Sequence, residues 1–209
     1  MEQDISESVL YRQSLRDKIL EVAMTAFAER GIKAVRMDDI ASLIGISKRT
    51  LYEIYDDKEE LLYQGVKTLW GRRREAFHAF ARSADSVMDI ILELYRLKVK
   101  ETRRINSLFY IDIRKYPKVV KYVDETRKQS RGELGSFFAR GVDEGYFRKD
   151  VNYELALQLF DAIDQYIQSH SLIEQFSLEE LFGNLLLVSL RGLCTMKGIM
   201  VLDEAVRTR

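Results

Sequence analysis

The sequence predicts an all-α protein in which a three-helix amino-terminal domain is followed by a larger helical domain. The chain has one proline in 209 residues and is rich in leucine, glutamate, lysine and arginine, which favour helix. Apolar residues recur at intervals of three and four along most of its length, as one face of a helix requires. We therefore expect about nine helices, with residues 1–58, ordered from about residue 14, forming the first domain and residues 59–209 the second.

The charge balance gives no general sign of a nucleic-acid partner. Lysine plus arginine equals aspartate plus glutamate at 33 each, and residues 1–60 hold thirteen acidic against nine basic residues. Because phosphate contacts drive most non-specific affinity, this composition argues against a protein that coats DNA. Nucleic-acid binding would have to come from a local arrangement of cations on one face.

A single cysteine, Cys194, excludes an intramolecular disulfide and fits a reducing cytoplasm. We interpret Cys194 as core rather than as a redox sensor, because it lies in an apolar helical stretch. The acidic start of the chain is unlike a secretory signal. The longest apolar run without charge, residues 181–190, is far shorter than the roughly 20 residues of a membrane span, so we expect a soluble, cytoplasmic protein.

The first helix is predicted from Ser14, because Ser14 to Asp17 resembles a capping box with aspartate in place of glutamate. Ile19 and Phe27 then follow at helical spacing until Gly31, a residue suited to a helix end. The dozen residues before Ser14 are expected to be frayed.

Two short helices follow, joined by a tight turn. The first stops at Gly45, which readily adopts the left-handed conformation of a helix end, and Ser47 can cap the second. Two short helices joined by about three to four residues that include glycine are typical of a helix-turn-helix, whose second helix enters the major groove of DNA. We expect core positions at Ile40, Leu43, Leu51 and Tyr55, and outward residues at Lys48, Arg49, Thr50, Tyr52 and Glu53.

The second domain is connected to the first by a long helix. A capping box that opens at Asp57 predicts that this helix reaches about Ser83. Pro117 suits the first turn of a later helix, where its missing N–H costs nothing. Asn152 and Ser177 are candidate caps of the eighth and ninth helices. The helices predicted beyond residue 83 run over about 85–105, 107–116, 117–145, 152–174 and 177–200.

Several sequence motifs in the first 62 residues are more specific than helical periodicity alone. They are Ala26–Gly31, Asp39–Ala41, Ile46–Tyr52, Tyr55 and Asp57–Leu62. In this order and register they closely resemble the tetracycline-repressor (TetR) family of bacterial regulators. The resemblance implies a homodimeric repressor that binds a palindromic operator in double-stranded DNA, dimerises through its last two long helices and is released when a small-molecule effector binds the second domain.

Several residues match family positions with defined roles. Tyr52 matches an aromatic that hydrogen-bonds a phosphate, and Lys58 matches a lysine that meets the DNA backbone at the start of the fourth helix. Arg49 stands where many members have a small residue, and it would either contact guanine bidentately or grip a phosphate. Arg36 replaces a common Ser or Thr cap, so we expect that cap to be lost and a cation gained. The predicted DNA contacts are Arg36, Ser47, Lys48, Arg49, Thr50, Tyr52 and Lys58.

Apolar residues predict the effector site and the dimer interface. Aromatics would line a large pocket in this architecture, although such residues in helical bundles are mostly ordinary core. The candidate ligand contacts are Trp70, Phe77, Tyr95, Phe109, Tyr110, Phe138 and Tyr166. The predicted dimer faces hold Leu155, Leu159, Ala162, Ile163 and Tyr166 on one helix, and Leu181, Leu185, Val188 and Leu193 on the other.

Three functional hypotheses follow. The first is a dimeric, sequence-specific repressor released by a small apolar effector. The second is a DNA-tethered interaction or structural protein whose helical domain binds a protein partner. The third, a carrier or enzyme without a DNA role, leaves the helix-turn-helix unexplained. We expect no enzyme, cofactor or metal site, because His78 and His170 are 92 positions apart without suitably spaced ligands and no phosphate loop or nucleophile motif is present.

Overall fold

The computed structural model describes residues 2–207, and within them the side chains of residues 10–207 apart from 102, 131, 168 and 206. Over this range the regular structure is helical, and an isolated antiparallel bridge joins Phe147 to Cys194. The all-α prediction is confirmed. None of the helices in the described range is long and apolar enough to cross a membrane.

The helices are numbered in chain order. They are α1 Glu2–Arg30, α2 Met37–Ile44, α3 Lys48–Ile54, α4 Lys58–Gly65, α5 Gly71–Ser83, α6 Val87–Thr102, α7 Ser107–Ile113, α8 Pro117–Asp143, α9 Tyr153–Ser169, α10 Leu172–Gln175, α11 Leu178–Leu181, α12 Val188–Leu193 and α13 Met196–Arg207. Two π-helical segments, Val66–Trp70 and Phe182–Leu187, connect α4 to α5 and α11 to α12. The backbone stays right-handed helical where these segments begin and end, so each forms one continuous helix with its neighbours.

Several helix starts lie where local signals predict them. The Asp57 carboxylate accepts a hydrogen bond from the Glu60 N–H at 2.7 Å, and Ser177 and Glu180 form a reciprocal capping box. α8 begins at Pro117, as predicted. The caps at Asp57 and Ser177 are predictable because a capping side chain acts on backbone groups only two or three residues away.

The predicted start of the first helix at Ser14 is wrong, since α1 begins at Glu2 and passes through Ser14 without a break. Residues 2–13 contain neither glycine nor proline, and glutamate and leucine among them are good helix formers. The segment therefore has no residue that would stop the helix.

The predicted eighth and ninth helices are each interrupted. Ser171 adopts a left-handed conformation with a φ of 51°, which separates α9 from α10. The ninth helix ends at Leu193 instead of near residue 200, because Cys194 is extended. Pairing with a distant segment explains that break: the Thr195 N–H donates to the Tyr146 carbonyl at 2.9 Å. Apolar periodicity carries no sign of such long-range hydrogen bonds.

Cys194 is part of the core, as predicted. It packs in a buried cluster with Val87, Phe138 and Phe147, and its thiol lies 3.4 Å from the Leu190 carbonyl oxygen. Burial raises the pKa of the Cys194 thiol to about 11. The thiol is therefore protonated at neutral pH and a poor nucleophile.

Packing divides the chain into two compact units. The first comprises residues up to Glu75 together with Leu108–Val123, and the second comprises Ala76–Ser107 together with residues from Asp124 onward. Within the first unit α1 packs on α2 and α4, and within the second α6 packs on α11 and α13. This division concerns packing, and the functional boundary after residue 58 stays a prediction.

Gly198 in α13 generates a prediction about stability. A Cβ atom there would lie 2.5 Å from the Tyr146 carbonyl oxygen, a backbone atom held by the pairing at Thr195. We expect Gly198→Ala to lower the free energy of unfolding by about 1–3 kcal/mol, measured by urea denaturation. Gly192→Ala is the matched control, because its Cβ would meet no atom within 4 Å. Equal destabilisation of both variants would contradict the steric explanation.

Candidate nucleic-acid interface

The helix-turn-helix consists of α2, α3 and the segment Gly45–Ser47 between them. Gly45 adopts a φ of 79°, and its N–H and that of Ile46 each donate to the Ala41 carbonyl oxygen at 3.0 Å. A left-handed residue of another type would cost roughly 1–2 kcal/mol. The predicted helix stop and turn are confirmed.

Ser47 fixes the start of α3. Its hydroxyl accepts a hydrogen bond from the Thr50 N–H at 3.0 Å and shares another with the Thr50 hydroxyl at 2.8 Å. On the opposite face of α3, Leu51 is fully buried and Tyr55 nearly so. Ser47 is thus a cap, as predicted, and α3 is anchored at its start and along one side.

The predicted packing of Leu43 is wrong, since its side chain is 59% exposed. Ile40 and Ala41 form part of the buried face of α2, and Leu43 lies well away from that face at about 100° per residue. The other predicted core positions, Ile40, Leu51 and Tyr55, are buried.

Two exposed cations at the start of α3 are each paired with a carboxylate. The Lys48 ammonium lies 2.9 Å from the Asp38 carboxylate of α2, and the Arg49 Nε lies 2.8 Å from the Glu53 carboxylate one turn along α3. These hydrogen bonds raise the pKa of Lys48 and of Arg49. The Lys48 ammonium also stands 5.9 Å from the centre of the Tyr52 ring. Both charges stay on the surface.

Arg36 precedes α2 and is exposed. Its guanidinium has no acceptor atom and so cannot cap the helix, but the Asp39 carboxylate accepts a hydrogen bond from the Arg36 N–H at 2.8 Å. The side-chain cap from residue 36 is absent, as predicted. The other hydrogen bond of a capping box, from the Arg36 N–H to the Asp39 carboxylate, is present.

Lys58 occupies the first turn of α4, as predicted, but its side chain is half-buried. Its ammonium lies 5.8 Å from the centre of the Phe27 ring in α1. Burial lowers the pKa of Lys58, against the opposing effect of the Asp112 and Asp39 carboxylates. The Lys58 ammonium is therefore partly desolvated beside the Phe27 ring.

A segment distant in sequence completes the first unit. Asp112 of α7 is buried, and its carboxylate accepts a hydrogen bond from the Lys33 N–H between α1 and α2 at 2.7 Å. The Lys118 N–H of α8 donates to the Glu59 carboxylate of α4 at 3.0 Å. Sequence reasoning missed these contacts, because the partners are 79 and 59 positions apart and no local pattern marks them.

The predicted ligand contacts are distributed over both units. The first unit holds Trp70, Phe109 and Tyr110, and the second holds Phe77, Tyr95, Phe138 and Tyr166. Phe138 is buried in the core and stacks on Tyr153 with ring centroids 4.6 Å apart, whereas Tyr166 is 54% exposed. Their role in ligand binding stays a prediction.

The second unit contains an open cleft of about 560 Å³. Tyr95 and Phe182, which line it, stack with ring centroids 5.7 Å apart. Arg191 and Asp203, also in the lining, form an ion pair through two hydrogen bonds of 2.9 and 3.0 Å. Tyr95 is the one predicted ligand contact that lines this cleft. Within the described range, no three His, Cys, Asp or Glu side chains lie together as metal ligands would.

These features define a helix-turn-helix DNA-binding protein, because α3 is anchored on one side and presents cations and a tyrosine on the other.

Residues 19–64 match the family model of the bacterial regulatory proteins of the tetR family. The chain is 27% identical over 150 residues to the transcriptional repressor KstR2 of Mycobacterium tuberculosis, across 68% of this chain and 74% of that protein. It is 40% identical over 53 residues to IcaR, a negative regulator of the biofilm operon icaADBC in Staphylococcus epidermidis, across 25% of this chain and 29% of that protein.

Solved structures show the same fold. The ketosteroid transcriptional regulator KstR2 of Mycobacterium tuberculosis superposes with a TM-score of 0.55 at 21% identity, covering 86% of this chain and 95% of that one. The fatty acid degradation regulator FadR of Bacillus halodurans superposes with a TM-score of 0.57 at 18% identity, covering 83% of this chain and 94% of that one. Residues 19–64 therefore form a DNA-binding domain of the tetR family type, and the chain is a DNA-binding transcriptional regulator.

The cap of α3 generates a second prediction. Ser47→Ala removes the acceptor for the Thr50 N–H, so we expect a loss of about 1 kcal/mol in the free energy of unfolding, measured by urea denaturation. Ser42→Ala is the control, because the Ser42 hydroxyl only donates to a carbonyl inside α2. If Ser47→Ala were as stable as the wild-type protein, or if Ser42→Ala lost as much free energy of unfolding, the Ser47 hydroxyl would not be what stabilises the start of α3.

Proposed function

We propose that the protein is a homodimeric, cytoplasmic repressor that binds a palindromic operator and is released by a small, largely apolar effector. The outer face of α3 carries this proposal, because Lys48, Arg49 and Tyr52 are exposed on a helix fixed by Ser47 and Leu51. A helix held in this way can present its side chains to base edges in a defined register.

Five of the predicted DNA-contacting residues have the following proposed roles. Arg49 contacts base edges, and the Tyr52 hydroxyl and the Arg36 guanidinium donate to phosphates. The Thr50 hydroxyl is bound to Ser47, so the methyl group of Thr50 is the part that contacts DNA. Ser47 acts by fixing the start of α3.

An exposed apolar strip on α9 supports the dimer. Leu155, Leu159 and Tyr166 are 60%, 52% and 54% exposed, and with Ala162 they recur at intervals of four, three and four along one face. A second copy related by a twofold axis would cover this strip. The same axis would place two α3 helices on half-sites about one turn of DNA apart, which requires a palindromic operator.

The second predicted dimer face, which holds Leu181, Leu185, Val188 and Leu193, offers less exposed apolar surface than the α9 strip. Val188 of α12 is 61% exposed, but Leu181 is buried within its own unit, and Leu185 and Leu193 are half-buried. Ile163 on α9 is half-buried as well. We therefore assign Leu181 to the core and Val188 to the proposed interface.

The relatives support repression and an apolar effector. KstR2 is named a repressor and a ketosteroid regulator, and FadR a regulator of fatty acid degradation. The cleft in the second unit falls within the range of about 300–1,000 Å³ of ligand sites, and Tyr95 and Phe182 offer it aromatic surface. To release the operator, the effector must bind the DNA-incompetent conformation more tightly than the DNA-binding one.

Selection of bound fragments from the source genome tests the function. We expect the enriched fragments to share a palindrome whose half-sites lie about 10 base pairs apart or a multiple of that distance. A motif without symmetry would contradict the dimer, and no enrichment over random DNA would contradict sequence-specific binding. The genes beside the bound sites would indicate the chemical class of the effector.

Arg49 and Lys58 are expected to contribute differently to DNA binding, Arg49 to base preference and Lys58 to general affinity. Lys58→Met keeps a long, unbranched side chain at this half-buried position but removes the charge, so we expect weaker binding to all DNA and a salt slope smaller by about 0.9. Arg49→Ala should instead relax the preference at particular base pairs. Titration of operator and random DNA at several salt concentrations measures both effects, with exposed Lys18→Ala of α1 as the control. Equal losses on both DNAs for the two variants would remove the distinction.

Leu159 tests the proposed dimer. Leu159→Glu places a charge in the α9 strip, so we expect a monomer by light scattering at micromolar concentration and loss of binding to the full operator. Leu94→Glu is the matched control, because Leu94 is a 46% exposed leucine on α6 of the same unit. A dimeric Leu159→Glu protein would place the interface elsewhere.

A further inference from the structure

Arg49 is tethered by only one of its nitrogens. Its Nε donates to the Glu53 carboxylate at 2.8 Å, and in the described part of the chain its two terminal nitrogens make no hydrogen bond. The Arg49 side chain is 89% exposed, and that of Glu53 54%. The guanidinium is therefore held at its Nε atom, and its two terminal nitrogens are exposed to solvent.

The charges of α3 are placed against the stability of the helix. Lys48 and Arg49 occupy the first turn, where the helix dipole is positive, and Glu53 lies in the last turn, where it is negative. Glu53 is therefore exposed and unfavourably placed relative to the helix dipole, and its ion pair with Arg49 offsets part of that cost.

We propose that Glu53 is a positioning residue that commits Arg49 to the edge of a guanine rather than to a phosphate. This inference rests on the proposed function, in which α3 enters the major groove. It explains why Arg49 would take the proposed base-edge role instead of contacting a phosphate, and it identifies the base as guanine.

Two physical effects favour the guanine. With Nε occupied, the two terminal nitrogens form a planar pair of donors that matches guanine O6 and N7. A phosphate bound to Arg49 would lie close to the Glu53 carboxylate and be repelled by it, whereas the acceptors of guanine carry no net charge. The tether also removes rotamer freedom from Arg49 before DNA binds, which lowers the cost of ordering it.

The test compares Glu53→Ala, Arg49→Ala and the double variant on operators that differ at each base pair. Glu53→Ala should lower the preference for guanine at the Arg49 position by about threefold to tenfold, part of what a bidentate arginine supplies. It should also steepen the salt slope by up to about 0.9, because the freed guanidinium gains a phosphate contact. In the Arg49→Ala background, Glu53→Ala should have no further effect on base preference.

Asp17→Ala is the matched control. Asp17 also faces an arginine, Arg72, at 3.9 Å in the same unit, and its side chain is 47% exposed, but it lies on α1. It changes the net charge by the same amount and should leave base preference unchanged. Removing Glu53 takes an unfavourable charge from the end of α3, so reduced specificity would not reflect unfolding, and thermal denaturation checks this.

The outcomes separate this inference from the proposed function. If the wild-type protein shows no preference over random DNA, the proposed function fails. If Arg49→Ala abolishes a guanine preference that Glu53→Ala leaves intact, only the positioning role of Glu53 is overturned. If Glu53→Ala still changes base preference when Arg49 is absent, Glu53 contacts a base itself, as a carboxylate does with cytosine N4, and the inference is also overturned.

Discussion

The DNA-facing surface depends on the anchoring of α3. This helix has seven residues, too few to be stable alone in water. It exists because Gly45 turns the chain, Ser47 caps its first turn, and Leu51 and Tyr55 bury its inner face. Because the inner face holds the helix in place, the outward side chains are not needed for its packing and can serve binding. That division explains how Arg49 can be almost fully exposed on a helix whose orientation is set.

The excess of acidic residues in the first sixty positions becomes understandable from their partners. Asp57 caps α4, Asp39 holds the backbone before α2, and Asp38 pairs with Lys48. Glu53 pairs with Arg49. These carboxylates build and orient the helix-turn-helix, so the local balance of charge says little about its partner. In the proposed function, the exposed cations of α3 are the groups that meet the DNA, and their arrangement would determine the specificity.

Sequence reasoning succeeded where the interaction is local. Gly45, Ser47 and Asp57 act within about four residues of themselves, so their patterns predicted the turn and the caps. Local reasoning failed at Ser14 and Leu43, and it had no access to features that depend on distant partners. The break at Cys194 follows from pairing with residues 146–148, and the hydrogen bond from Lys33 to Asp112 spans 79 positions. The predicted DNA contacts on α3 lie together because they share one helix, whereas the predicted ligand aromatics are separated because periodicity does not determine which helices meet.

The placement of α7 and the start of α8 in the first unit bears on how an effector could act. The chain passes between the two units after residues 75, 107 and 123, and the first and last of these points lie inside α5 and α8. A helix transmits displacement because its backbone hydrogen bonds resist bending. Asp112 holds the turn that precedes α2, and Lys118 holds the first turn of α4, next to Lys58. In the proposed function, a shift of the part of α8 that belongs to the second unit would act along this helix on the hydrogen bond from Lys118 to Glu59 in α4, without any ligand contact to the DNA-binding face.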